Sequence, residues 1–309
     1  MRVVISEFMD DAAVADLRAD FDVLYDPGLV DRPDDLCAAL AGADGWIVRN
    51  RTQVRGSLLA AADRVKVVGR LGVGLDNIDL EACAARGIAV CPATGANDLA
   101  VAEYAVTAAM MLLRGAYGAG AEMIAGDWPR TRLMGRESAG KRFGLVGFGA
   151  IARETARLAR GLGFAIAAHD PYVEDGSPAW TGVENCKLSD LARTSDVISL
   201  HVPLTEGTRH MVDAEFLSSM KSDAVLINAA RGGIVDETAL VDALRDGRIG
   251  GAALDVFETE PLTAEAAAKF AGLGNLMLTP HIAGVTAESN VRVSAMTAQA
   301  VRTVLSKLL

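Results

Sequence analysis

The feature that most constrains the fold is an alternation of short apolar runs with helical patterns along nearly the whole chain. The first series of runs is VVIS, DVLY, GWIV, VKVVG and IAVC. The second series begins near residue 143 and contains FGLVGFG, AIAAHD, DVISLHVP, AVLINAA, GAALDVF and NLMLTP. Strands that alternate with helices predict parallel sheets covered by helices. We therefore predict an α/β fold with two doubly wound, Rossmann-like domains and a cleft between them.

Two long stretches without a helix breaker set the expected domain boundaries. They cover residues 97–114 and about 286–308. The simplest arrangement returns the last helix to the first domain, so residues 1–97 plus 284–309 are expected to form one domain and residues 98–283 the other. The first long helix is rich in Ala, Met and Leu, and we expect it to form a homodimer interface, although burial within the monomer would explain the same pattern.

Composition and charge exclude several classes of function. The formal net charge is -10 and no basic cluster resembles a nucleic-acid or anionic-lipid footprint. No apolar run is long enough to span a bilayer, and the start MRVVISEFMDD does not resemble a signal peptide. The four cysteines form no CxxC pair, so we expect free thiols, no metal site, and a cytoplasmic protein without nucleic-acid or membrane partners.

A glycine motif at the start of the second series predicts dinucleotide binding. Gly147 permits a tight turn, Gly149 lets the backbone approach a diphosphate, and Ala152 allows close packing of helix on strand. The amides of Ala150 and Ile151 would open the following helix, whose N-terminus favours an anion. The next strand ends at Asp170, whose carboxylate would bind ribose hydroxyls and repel a 2′-phosphate. This arrangement favours NAD over NADP.

Three chemically useful side chains follow later strands of the second series. Arg231 follows AVLINAA, Glu258 and Glu260 follow GAALDVF, and His281 follows NLMLTP. Ligands of open α/β sheets bind beyond the carboxyl ends of the strands, so these groups could share one site. Each could instead be an ordinary surface or structural residue. Together they fit alcohol oxidation, in which histidine takes the hydroxyl proton, a carboxylate stabilises imidazolium, and arginine holds the substrate.

The long motifs GRLGVGLDNID, GKRFGLVGFGAIAR, NAARGGIVDETAL, GAALDVFETEP and TPHIAG resemble the D-isomer-specific 2-hydroxyacid dehydrogenases. The resemblance implies catalytic roles for Arg231, Glu260 and His281, and binding of the substrate carboxylate at the amides of Val73 and Gly74. Ala152 replaces the third glycine and His169 stands where tyrosine is common. The implied cofactor-binding set is Gly147, Gly149, Ala150, Ile151, Asp170, Val202, Pro203, Thr208, Ala229, Arg231, Asp255, His281 and Gly284.

The substrate is expected to carry a second anionic group. Arg49, Arg51 and Arg55 lie in IVRNRTQVR and Arg70 opens the LGVG loop, which is an unusual basic cluster in an acidic chain. A solvated basic loop is the alternative explanation. The implied substrate-binding set is Arg49, Asn50, Arg51, Arg70, Val73 and Gly74.

Segments such as EFMDDAAV and PATGAND resemble family members that oxidise (S)-3-sulfolactate to 3-sulfopyruvate. D-3-Phosphoglycerate, glycerate/hydroxypyruvate and simpler D-hydroxy acids remain open as substrates. An NAD-sensing regulator on the same fold is the alternative from another functional class, and formate oxidation is disfavoured because that branch carries glutamine in place of Glu260.

Overall fold

The computed structural model describes residues 1–308 and divides into two compact units. The first unit contains Met1–Asn97 together with the chain from Val285 onward, and the second contains Asp98–Gly284. Each unit is built on one sheet in which every strand pair is parallel. The predicted fold class of two doubly wound α/β domains is therefore confirmed.

The strands follow the two predicted series. In the first unit they are β1 (Arg2–Ile5), β2 (Asp22–Tyr25), β3 (Gly45–Val48), β4 (Val67–Arg70) and β5 (Ala89–Pro92). In the second unit they are β6 (Arg142–Val146), β7 (Ala165–His169), β8 (Glu184–Asn185), β9 (Val197–Leu200), β10 (Val225–Asn228), β11 (Gly251–Leu254) and β12 (Leu276–Leu278).

The helices alternate with these strands. They are α1 (Asp11–Arg18), α2 (Pro33–Leu40), α3 (Gly56–Ala61), α4 (Leu80–Ala85), α5 (Asp98–Arg114), α6 (Gly120–Ile124), α7 (Ala150–Gly161), α8 (Leu188–Thr194), α9 (Ala214–Ser219), α10 (Glu237–Arg245), α11 (Ala264–Ala267) and α12 (Ala287–Ser306). Within residues 1–308, no helix has both the length and the apolar character that a bilayer span requires.

In the first unit the sheet order is β2-β1-β3-β4-β5, and α12 packs across it. The close packing depends on Gly69 in β4, because a β-carbon there would lie 2.7 Å from side-chain atoms of both Thr297 and Val301. Thr286 and Ser289 form a reciprocal capping box that begins α12. The C-terminal helix therefore covers the N-terminal sheet, as a chain that returns to its first domain must.

In the second unit the sheet order is β12-β11-β10-β9-β6-β7-β8. The direction of strand addition reverses between β6 and β9, which makes the carboxyl ends of these strands a topological switch point. Helix α5 packs on α7 and on the sheet, and it buries Ala105, Ala109 and Leu113 in the same cluster as Ala152 and Ala156 of α7. The apolar character of α5 is therefore largely explained by burial within its own unit.

The sequence analysis did not predict three short elements. Helix α6 has five residues, β8 is a two-residue edge strand, and α11 has four residues. None of them carries the apolar periodicity that marks longer helices and strands, and α6 and α11 bury no residue.

A half-buried histidine, His201, lies at the carboxyl end of β9. The Nε2 atom of His201 is 3.0 Å from Oγ of Ser199. Desolvation of the imidazole by surrounding protein lowers its pKa from 6.5 to about 4. The unfolded chain therefore takes up this proton near pH 6.5 and the folded chain only near pH 4, so folding stability is lost as the pH falls through that window.

We predict that the free energy of unfolding falls between about pH 7.5 and about pH 5 by at most ~2 kcal/mol more in the wild type than in His201→Gln. Glutamine offers Ser199 a polar partner but binds no proton in this range, and the figure is an upper limit because His201 retains some solvent contact. Urea unfolding of both proteins at the two pH values measures the difference. Equal losses would show that another group causes the acid sensitivity.

Candidate active site

The predicted catalytic and cofactor residues of the second unit all lie at or beyond the carboxyl ends of its strands. Register pairing aligns Val146 with Leu200, Leu200 with Asn228, and Asn228 with Leu254, so these strands end level with one another. The groups that follow them are Gly147 and Gly149 after β6, Asp170 after β7, Val202 and Pro203 after β9, Ala229 and Arg231 after β10, Asp255 after β11, and His281 and Gly284 after β12.

The central feature of this edge is the pair formed by His281 and Glu260. The Nδ1 atom of His281 lies 2.7 Å from Oε2 of Glu260. The other carboxylate oxygen, Oε1, accepts the amide of Phe257 at 2.9 Å. Burial favours a raised pKa for Glu260, but these two bonds and the charge of Arg231 outweigh it and lower the pKa. Glu260 is therefore held as a carboxylate against one ring nitrogen of His281.

The turn that carries His281 is organised by Asp255. His281 has φ of 53°, an unusual conformation for a side-chain-bearing residue, and its amide donates to the carbonyl of Asp255 at 2.8 Å. The buried carboxylate of Asp255 accepts the amides of Ile282 and Ala283, both at 2.8 Å, and the hydroxyl of Thr279 at 2.6 Å. The resemblance also counts Asp255 in the implied cofactor-binding set, and its carboxylate organises the turn of His281.

Helix α5 reaches the same turn through one hydroxyl. Tyr104 Oη lies 2.6 Å from Thr279 Oγ1, which in turn bonds Asp255. Burial raises the pKa of Tyr104, so the phenol stays neutral. The chain Tyr104–Thr279–Asp255 thus connects the long helix to the turn of His281.

Arg231 occupies a turn that packs directly against the Glu260 segment. The Asn228 side chain shapes this turn, because its amide donates to the carbonyl of Arg231 at 2.9 Å while its oxygen accepts the amide of Ala230 at 3.1 Å. A β-carbon at Gly232 would lie 1.7 Å from the carbonyl oxygen of Phe257. Only glycine allows this approach, which brings the guanidinium within electrostatic range of Glu260.

Glycine occupies the two positions of the nucleotide motif for different physical reasons. Gly147 has φ of 87°, and a β-carbon there would lie 2.6 Å from the carbonyl oxygen of His201. Gly149 has φ of -74°, and a β-carbon there would meet no protein atom within 4 Å. Neither the backbone conformation nor the packing of the protein requires glycine at position 149. The open space at the uncapped N-terminus of α7 fits a dinucleotide diphosphate.

Asp170 stands beside this loop. Its Oδ2 accepts the amide of Phe148 at 2.7 Å, and its Oδ1 accepts the amide of Tyr172 at 2.9 Å. Each carboxylate oxygen retains lone-pair capacity for a ribose hydroxyl. The Thr208 hydroxyl, by contrast, already donates to the carbonyl of Pro203 at 2.6 Å and accepts the amide of Thr205 at 2.8 Å, so it shapes its own turn.

In the first unit, a buried carboxylate builds the loop that contains Arg49, Asn50 and Arg51. Glu7 is 4% exposed, and its oxygens accept the amides of Arg49 at 2.8 Å, Thr52 at 3.0 Å and Arg51 at 3.2 Å. The Asn77 side chain donates to the carbonyls of Arg49 and Thr52. Sequence reasoning missed both Glu7 and Asn77, because neither lies near the loop along the chain.

The arginines of this region do not act as one cluster. Arg51 forms an ion pair with Asp31, and Arg55 donates to the carbonyl of Asp76. The guanidinium of Arg49 donates to Asn290 Oδ1 at 2.8 Å and lies over the ring of Phe8, with no carboxylate ion pair among the described residues. Burial lowers the pKa of Arg49, although the charge of Glu7 opposes this effect.

The LGVG loop presents backbone donors. Gly72 has φ of 141°, and the Arg70 side chain folds over it so closely that a β-carbon would lie 1.6 Å from Nη1. Within residues 1–308, the amides of Val73 and Gly74 form no hydrogen bond. The two amides therefore have no acceptor within this part of the chain, and the resemblance implies that they bind the substrate carboxylate.

Comparison with known proteins identifies the family. The model described as the D-isomer specific 2-hydroxyacid dehydrogenase, NAD binding domain, matches residues 106–283, more than half of the chain. The chain belongs to the D-isomer specific 2-hydroxyacid dehydrogenase family. This confirms the resemblance seen in the sequence motifs, the enzyme class and the NAD cofactor.

The curated relatives differ in length. An (S)-sulfolactate dehydrogenase of Chromohalobacter salexigens is 54% identical over 304 residues, which are 98% of this chain and 98% of that protein. A D-3-phosphoglycerate dehydrogenase of Mycobacterium leprae is 38% identical over 306 residues. This match covers 98% of the present chain but only 57% of the mycobacterial protein.

Solved structures share the whole architecture. A protein from Thermus thermophilus superposes with a TM-score of 0.91 at 31% identity, over 99% of this chain and 97% of that one. A D-lactate dehydrogenase from Aquifex aeolicus, solved with NAD and lactic acid, gives a TM-score of 0.86 at 26% identity, over 99% and 96% of the two chains. The fold described above is therefore that of this dehydrogenase family.

Proposed function

We propose that this enzyme transfers a hydride between C2 of a small anionic D-2-hydroxy acid and NAD, with (S)-3-sulfolactate and 3-sulfopyruvate as its substrate pair. The observation that carries the chemistry is the contact of 2.7 Å between His281 and Glu260, formed beside the Arg231 turn. The substrate assignment draws on the full-length similarity to an (S)-sulfolactate dehydrogenase and on the half-buried, cationic Arg49.

In the proposed mechanism, each residue has one task. NAD, when bound, would supply the acceptor for the hydride from C2 of the substrate. The hydroxyl proton passes to Nε2 of His281, and Glu260 stabilises the resulting imidazolium through Nδ1. Arg231 polarises the C2 oxygen and, with the amides of Val73 and Gly74, binds the carboxylate. The products are the 2-oxo acid, NADH and one proton released from His281.

The cofactor is proposed to use the glycine loop. The diphosphate would occupy the space beside Gly149 at the amides of Ala150 and Ile151, and Asp170 would accept the ribose hydroxyls. Val202, Pro203 and Ala229 are proposed to line the nicotinamide end of the site.

Arg49 is proposed to bind the second anionic group of the substrate. Its guanidinium is desolvated, and among the described residues it contacts an amide oxygen and an aromatic ring in place of a carboxylate partner. A sulfonate would supply that missing charge through charge-assisted hydrogen bonds. Arg51 is a weaker candidate because Asp31 already neutralises it.

We predict that kcat/KM for (S)-3-sulfolactate exceeds that for D-lactate by about 100-fold, since a charge-assisted hydrogen bond contributes roughly 1.5–3 kcal/mol. Arg49→Gln should lower kcat/KM for sulfolactate by about 30-fold and that for D-lactate by less than about threefold. The matched control is Arg51→Gln in the same loop, which should change both values little. NADH absorbance with sulfolactate, D-3-phosphoglycerate, D-glycerate and D-lactate measures these values.

Other outcomes of this panel would contradict specific parts of the proposal. Equal kcat/KM for sulfolactate and D-lactate would remove the second anionic subsite. A preference for D-3-phosphoglycerate or D-glycerate would move the enzyme to one of those substrates. Tight NADH binding without turnover of any acid would favour an NAD-sensing regulator instead.

We predict that Asp170→Asn lowers the ratio of kcat/KM with NAD to that with NADP by at least about tenfold. Asparagine retains an oxygen for the amide of Phe148, so the glycine loop keeps its shape, but the charge that repels a 2′-phosphate is lost. Initial rates with both coenzymes measure the ratio. An unchanged ratio would show that Asp170 does not contact the ribose.

A cytoplasmic homodimer is proposed, with an interface different from the one expected from the sequence. Helix α5 is largely buried in its own unit, whereas Tyr117, Ile124, Trp128 and Met134 are 69–90% exposed around α6. Such an apolar surface is typical of a protein interface.

Sedimentation should give about twice the chain mass of 32.3 kDa. Ile124→Glu should give monomers, unlike the control Val291→Glu on α12; a wild-type monomer would exclude the dimer.

A further inference from the structure

A second histidine–glutamate pair lies next to the catalytic one. In the part of the chain that the structure describes, the residues other than glycine with positive φ are His210, at 50°, and His281, at 53°. The ring of His281 contacts Glu260, and Nε2 of His210 lies 3.1 Å from Oε1 of Glu258. Both glutamates belong to one turn, residues 257–260, although the proposed mechanism uses only one of them.

Glu258 is fixed by a reciprocal contact with the start of α10. Its amide donates to Oε1 of Glu237 at 2.7 Å, and its Oε1 accepts the amide of Glu237 at 3.3 Å. Glu237 is 3% exposed, so its carboxylate is shielded from water. This double contact ties the turn to a helix whose own start is capped by Asp236.

Lys269 provides one positive charge between the two carboxylates. Its Nζ atom lies 2.5 Å from Oε2 of Glu237 and 3.6 Å from Oε2 of Glu258, and it also lies over the ring of Phe270. Burial acts to lower the pKa of Lys269, but its bonds to Glu237 and Glu258 raise it overall. Without this cation, the buried charge of Glu237 would remain close to the like charge of Glu258, and the turn would be expected to move.

The position of this turn determines where Glu260 lies. The Glu260 carboxylate accepts the amide of Phe257, the first residue of the turn, and the carbonyl of Phe257 packs against Gly232 beside Arg231. A displacement of Glu258 would therefore be passed to Glu260 and to the Arg231 turn. A 1 Å error in such a contact can cost about 100-fold in rate.

We propose that Glu237, Glu258 and Lys269 form a positioning cluster that holds residues 257–260 so that the Glu260 carboxylate meets His281. None of the three contacts reacting atoms. The inference rests on the proposed roles of Glu260 and His281 but is independent of which 2-hydroxy acid is the substrate. The charged and titratable groups that face Glu258 are Glu237 from α10, Lys269 from the segment before β12 and His210 from the segment before α9.

The test variant is Lys269→Met, which removes the cation and keeps an apolar stem over Phe270. Lys269→Arg is the rescue variant. The matched control is Lys221→Met. Like the test variant, it breaks a half-buried pair of a lysine and a carboxylate, here between Nζ of Lys221 and Oδ1 of Asp196 at 3.1 Å. Asp196 precedes β9 and so lies at the opposite edge of the same sheet from Glu258. If the loss of any half-buried ion pair acted only by destabilising the protein, Lys269→Met and Lys221→Met would have similar effects.

The readout is the acid-side midpoint of the pH profile of kcat/KM for hydroxy-acid oxidation. A displaced Glu260 no longer stabilises imidazolium, so Lys269→Met should move this midpoint to lower pH and lower kcat by about 3- to 30-fold. Loss of the lysine charge acting only through space would move the midpoint the other way, to higher pH. The sign of the change therefore separates positioning from simple electrostatics.

The same midpoint can be read without substrate. The chain has only four histidines, so the imidazole NMR signal of His281 can be assigned by comparison with His281→Gln and titrated in the protein without cofactor. A wrong substrate assignment would leave this measurement intact. Lys269→Arg should restore both midpoints, and Lys221→Met should leave them at the wild-type value.

Two results would overturn the inference. One is a Lys269→Met variant with an unchanged or higher midpoint, whatever its kcat. The other is an equal effect of Lys269→Met and Lys221→Met, which would reduce the cluster to a contribution to stability. If Lys269→Met does not fold, Lys269→Gln provides the same test, because it also removes the charge but retains a hydrogen-bond donor for Glu237.

Discussion

The site depends on one buried carboxylate, that of Asp255. A histidine with positive φ is held in a conformation that costs of order 1–3 kcal/mol. Asp255 offsets this cost by accepting two amides and one hydroxyl from the turn of His281 and by accepting the His281 amide at its own carbonyl. Hydrogen bonds to a charged group contribute about 1.5–3 kcal/mol each. The imidazole is therefore positioned by the end of β11 as much as by its own strand.

Carboxylates that accept backbone amides also organise the other loops. Glu7 accepts hydrogen bonds from three amides of the loop that carries Arg49. Asp170 accepts two around the glycine turn, and Glu237 accepts one from the amide of Glu258. In each case a carboxylate replaces the hydrogen bonds that the loop backbone lacks. Parallel sheets place such loops together at one edge, and the carboxylates give each loop a single conformation on which binding residues can be displayed.

The sequence was sufficient for features that depend on local patterns. Apolar runs predicted the two series of strands, and the glycine spacing, together with Asp170 after the next strand, predicted the loop that we propose for the nucleotide. It was insufficient wherever a partner lies far along the chain. Glu7 and Arg49 are separated by 42 residues, and Asp255 and Ile282 by 27. No periodicity links such positions, because the contact exists only after the strands have assembled in register.

The basic loop shows why substrate recognition is harder to read than fold. Arg49, Arg51 and Arg55 are neighbours in sequence and equal in formal charge, yet Asp31 neutralises Arg51, the carbonyl of Asp76 engages Arg55, and only Arg49 lies half-buried without a carboxylate partner. An anion gains most where a cation is desolvated and uncompensated, since screening by water and by existing partners is smallest there. The substrate specificity proposed for this chain therefore depends on the distribution of counter-charges around the loop, which the number of arginines within it does not reveal.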